Sequence, residues 1–166
     1  MSDRAAAYHP WSTYMAAVLE ARHLGDRRAG TDHVLLALLR DSDVQRILNV
    51  TLTQARDTLA SMDEQSLRAI GLESLPMSED FVDQSIPPRP SARLVMTQHF
   101  KLTPAAKTAL EDAHRSVRRG QHFTAAAVLR ALLENQEPDP AAVLLAALGV
   151  DRVAVRAALE AEVSPR

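Results

Sequence analysis

The sequence predicts an all-α fold built from a duplicated four-helix repeat. Three observations carry this. Alanine and leucine dominate, while aromatics make up 4% and only 5 glycines are present. The alternating β-branched pattern of strands is almost absent. Two segments of the same design, LLALLR (35–40) and LRALLE (129–134), each follow a helix that runs up to a glycine, Gly25 or Gly120.

The first helix is predicted from Ser12 to Leu24. Trp11, Tyr14, Met15 and Val18 recur at helical spacing, and Gly25 stops the helix at its C-terminal end. After the loop DRRA, a second helix starts at Thr31, which is read as its cap. Val34, Leu35, Leu36, Leu38 and Leu39 wrap it nearly all round, which marks a central, buried helix. Shorter helices are predicted at Asp43–Asn49, Thr53–Met62 and Asp63–Ala69, the last closed by Gly71. Pro76, Pro87, Pro88 and Pro90 then break the pattern, so residues 72–102 read as a proline-bearing linker.

Helical signals resume at Thr103-Pro104, a cap followed by a proline at the first helical position. That helix is predicted to reach about Arg119. A next one spans about Thr124 to Asn135. A third begins near Pro138–Pro140 and carries AAVLLAAL, eight consecutive apolar residues closed by Gly149. Asp151 caps a fourth, with Val155, Ala158 and Leu159 on one face. The whole is read as a single domain, 1–166, with repeats at 12–71 and 103–163 whose stacking buries what neither buries alone.

The repeat carries a family resemblance. LEARHLGDRRAGTDHVLLALLRD resembles the first repeat of the Clp N-terminal domain family, in which a helix ending EA-x-x-LG leads through a loop to GTEH-LLLALL. LTPAAKTALEDA is similar to the start of that family's second repeat, and AAVLLAALGVDRVAVRAAL to a repeat ending. The likeness covers roughly residues 12–163. It implies an orthogonal-type helical bundle that receives substrates and adaptors for AAA+ unfoldases of the ClpA and ClpC type. No GxxxxGK[ST] motif occurs, so a stand-alone version of that recognition domain is expected.

Several chemistries fit poorly. With no cysteine, disulfides and zinc–thiolate sites are excluded. Gly25 and Gly30 have the spacing of a phosphate loop, but Thr31-Asp32 stand where Lys and Ser or Thr are required. His33 lacks a histidine partner at i+4 and reads as a buried or capping residue rather than a metal ligand. Glu111-Asp112 reads as a solvated pair, not an acid–base device. No cofactor or catalysis is expected. The net charge of −2 weighs against nucleic acid, so a small helical nucleic-acid-binding regulator is the lesser alternative. No run is long enough for a membrane span, and a cytoplasmic location is expected.

Four residues are candidates for ligand contact through the resemblance. Asp32 matches the acidic residue of GTEH, which in ClpC-type members helps to bind phosphorylated arginine, and Thr31 precedes it. The matching position in the second half is Ala126, so any such site would be one-sided. Leu102 and Lys107 match a surface that takes small cyclic peptides. The partners implied are proteins or peptides: Clp substrates, adaptors or Clp subunits, with phosphoarginine or cyclic peptides as small ligands.

Overall fold

The computed structural model describes residues 10–72, 101–117 and 123–163. The first half holds α1 (Pro10–His23), β1 (Arg28–Ala29), α2 (Thr31–Leu38), α3 (Ser42–Leu48) and α4 (Leu52–Ala69). The second holds β2 (Lys101–Leu102), α5 (Pro104–Ser116), α6 (Ala125–Glu134), α7 (Pro140–Ala147) and α8 (Arg152–Val163).

Local chemistry explains most boundaries. Thr51, Thr103, Thr124 and Asp139 each accept a backbone N–H of the first turn of α4, α5, α6 and α7. Asp151 accepts from Val153 and Ala154 at the head of α8. At the matching turns LNVT and LGVD, Asn49 and Gly149 both take a left-handed conformation, with φ of 53° and 69°. Glycine and asparagine enter that region at the least steric cost.

Four expectations about helix extent, linker and buried faces change. Residues 52–69 form one helix of 18 residues, not two, because no glycine or proline interrupts Met62-Asp63. The last two residues of the expected linker, Lys101 and Leu102, pair in parallel with Arg28 and Ala29. On α1 the deepest face is Ala17, Glu20 and Ala21, all 0% exposed, while Trp11, Tyr14 and Met15 are only half-buried. Small residues on that face let α2 approach closely. On α8, Val155 and Leu159 are buried but Ala158 is exposed. The predicted continuation to Arg119 and Gly120 lies outside the described residues.

The halves are interleaved rather than stacked end to end. Helix α7 packs on α2 and α4 of the first half, and α3 packs on α6 and α8 of the second. The core between them is largely leucine. Leu35, Leu36, Leu38 and Leu39 meet Leu129, Leu132, Leu133, Leu144, Leu145 and Leu159, all with side chains withdrawn from water.

Thr31 is part of this joint and not the cap of α2. Gly30 is the cap residue, and Thr31 is the first helical residue. The Thr31 hydroxyl donates to Asp139 Oδ1 at 2.9 Å and accepts the Ala141 N–H at 3.2 Å. It thus joins the head of α2 to the head of α7. Thr31→Val should therefore cost roughly 1–2 kcal/mol, while Thr31→Ser stays close to the parent. Urea midpoints at unchanged slope would measure this; equal midpoints for all three would contradict it.

Candidate functional site

Helix α5 buries its alanine face, Ala106, Ala109 and Ala113, against the protein. The opposite face carries Lys107, Leu110, Glu111, His114 and Arg115, which the 3.6-residue period aligns. With Leu102 from β2 and Phe123 before α6, these residues line a groove of about 330 Å³. Leu102, Leu110 and Phe123 are half-buried and make an apolar floor. The His114 and Phe123 rings lie 6.2 Å apart at 44°.

Charge lies along the rim. Glu111 sits between two cations, with Lys107 Nζ at 3.7 Å and Arg115 Nη2 at 3.6 Å; Arg115 Nη1 also reaches Asp112 at 3.0 Å. Exposed pairs of this kind contribute little stability, so Lys107 and Arg115 can turn to another anion at small cost.

The structure brings together two of the sequence candidates, Leu102 and Lys107, on this groove. Leu110, Glu111, His114, Arg115 and Phe123 were not singled out as lining it. Their spacing from Lys107 (i+3, i+4, i+7, i+8) is the signal that could have found most of them.

The other two candidates sit at the head of α2 and do not line the groove. Thr31 is 1% exposed, and its hydroxyl is committed to Asp139 and Ala141. The Asp32 side chain retains 14% exposure, with Oδ1 3.0 Å from His33 Nδ1. Gly30 gives it room, since a Cβ there would lie 2.4 Å from Asp32 Oδ1. His33 is both buried and capping: Nδ1 lies 3.0 Å from the Gly30 amide nitrogen, and Nε2 lies 3.1 Å from Asp26 Oδ2. Burial drives its pKa down, but the Asp32, Asp26 and Glu20 carboxylates outweigh this and raise it. Asp63 is raised by burial and by the same two neighbours, Asp26 and Asp32.

Gly25, the other glycine of the apparent phosphate loop, ends α1 in a left-handed conformation at φ 80°. Its amide closes onto Arg22 and that of Asp26 onto Ala21. At the head of α6 the corresponding run is Ala125-Ala126-Ala127, without a carboxylate. Among the described residues, no group of three or more His, Asp or Glu side chains is arranged to hold a metal ion, and no helix is long and apolar enough to cross a membrane.

No family model and no curated protein matches the sequence. Among solved structures, the chain is similar to the N-terminal domain of the caseinolytic protease associated chaperone ClpD from Arabidopsis thaliana. The likeness has a TM-score of 0.60 at 20% identity and covers 93% of this chain and 91% of that one. The duplicated helical repeat around GTDH-x-LLALL thus adopts the fold of a Clp N-terminal domain.

Proposed function

We propose that the protein is a non-catalytic recognition module that takes a protein segment or short peptide in the groove of β2, α5 and Phe123. The apolar floor of Leu102, Leu110 and Phe123, rimmed by Lys107 and Arg115, is the observation that carries this reading. It fits an apolar side chain flanked by an acidic group or chain terminus. With the Clp N-domain fold, it supports partners drawn from Clp substrates, adaptors or Clp subunits. The protein then acts as a decoy, sequestering or delivery factor, and small cyclic peptides would compete for the groove.

Partners captured from lysate by the parent and by a Lys107→Glu/Leu110→Asp variant test this. The variant should keep its helical circular dichroism and bind any captured segment at least about tenfold more weakly, since apolar and charged contacts are both lost. Recovery of the same proteins by both chains, with equal affinity, would overturn the groove.

Asp32 supports a second site. It is a partly exposed carboxylate that follows the exposed Arg27 and Arg28 in the chain, and the carboxylate suits the guanidinium of a phosphoarginine. Competition by free phosphoarginine for captured partners separates this site from the groove.

A further inference from the structure

His33 Nδ1 faces two groups that it cannot serve at once. The Gly30 N–H donor and the Asp32 Oδ1 acceptor are each 3.0 Å away. A ring nitrogen either carries a lone pair or carries a proton. We propose that His33 is a proton-operated switch at the head of α2: neutral, its Nδ1 accepts the Gly30 amide; protonated, it donates to and holds the Asp32 carboxylate.

The setting makes the alternatives distinct. The ring is 3% exposed, so water does not substitute for either partner. Accepting the Gly30 amide at Nδ1 leaves the neutral ring's proton on Nε2, which lies 3.1 Å from Asp26 Oδ2 in the loop after α1 without hydrogen-bond geometry, so Asp26 acts on the ring by charge. The other charged groups acting here are Glu20 on α1, neutralised by Arg40 and Arg56, and Asp63 on α4, which shares the field of Asp26 and Asp32. The neutral ring caps α2 and leaves Asp32 free to meet a cation. The charged ring occupies Asp32 and withdraws the acceptor from Gly30. Access to Asp32 therefore rises with pH.

The stability consequence follows from the same contacts. The folded state binds the His33 proton more tightly than the unfolded chain does. Stabilisation from His33 is thus fully present below the unfolded value of about 6.5 and is lost as pH rises through the folded one. The switch stands without the groove and does not depend on what binds there.

A histidine NMR titration of the full chain tests it. The His33 ring should titrate above the ordinary histidine midpoint, with the Nε2–H tautomer at high pH. The Gly30 amide and the Asp32 carboxyl carbon should move at that same midpoint. Asp32→Asn should weaken proton binding by about tenfold. An unchanged midpoint in Asp32→Asn would overturn the switch. Should that variant not fold, the parent still decides, because separate midpoints for His33, Gly30 and Asp32 would overturn it equally.

Discussion

Glu20→Ala should lower stability by about 3–5 kcal/mol, because it leaves two arginines facing a cavity without their shared anion. Glu20 is 0% exposed. Arg40 donates to Oε1 from Nε at 3.2 Å and from Nη2 at 2.9 Å. Arg56 donates from Nε to Oε2 at 3.0 Å and from Nη2 to Oε1 at 2.7 Å. Three pieces of chain meet in this triad: α1, the segment after α2, and α4. Burial pushes the Glu20 carboxyl upward, yet the hydrogen bonds and charges of Arg56 and Arg40 outweigh it and hold the pKa below the usual value. Its contribution is therefore present above the unfolded carboxylate range and is lost as pH falls through the lower folded value. For a chain of this length the melting temperature should drop by roughly 6–20 °C at neutral pH. The gap between parent and variant should narrow in acid. Calorimetry at pH 7 and pH 3 measures both, and a melting temperature unchanged at pH 7 would refute the clamp.

Leu36→Ala should cost about 3–5 kcal/mol for a different reason. Leu36 is 0% exposed on α2, the helix that touches α1, α4, α5, α6 and α7. Truncation removes buried methyl groups and opens a void lined by both halves, which the surrounding leucines close only in part. The loss should be insensitive to pH, unlike that of Glu20→Ala. Denaturant unfolding of the two variants at two pH values would distinguish the mechanisms. A Leu36→Ala cost below about 1 kcal/mol would mean that α2 is not the centre of the core.

What could be read in advance depends on range. Thr103, Thr124 and Asp151 cap residues within three positions, so the sequence places those helix starts directly. The buried girdle of α2 is likewise legible from five large apolar residues in the six positions 34–39. Glu20 was not read as an anchor, because Arg40 and Arg56 lie 20 and 36 positions away. Thr31 looked like a cap because its true partner, Asp139, is 108 residues distant. Interleaving was hidden for the same reason: an apolar face shows that a helix is covered, not by what. Of the groove, Leu102 and Lys107 were reached only through the family resemblance. Phe123 joins them from the segment before α6, which periodicity along α5 cannot reveal.

The echo between halves is also unequal in chemistry. The position of Arg40 in LLALLR is Glu134 in LRALLE, and the arginine of TLTQAR recurs in DRVAVR. Arg156 accordingly pairs with Glu134 at 3.3 Å and also caps the Leu133 carbonyl. The arginine is kept, while its acid has moved from the first helix of the repeat to the end of the second.

The interleaving sets the order of events during synthesis. Helix α2 is complete at Leu38, but α7, which covers it, begins at Pro140. At translation rates of about 5–20 residues per second, the leucine girdle leaves the ribosome roughly 5–20 s before its cover does. The newborn first half therefore spends that interval as an aggregation-prone chain, in need of shelter until its second half arrives.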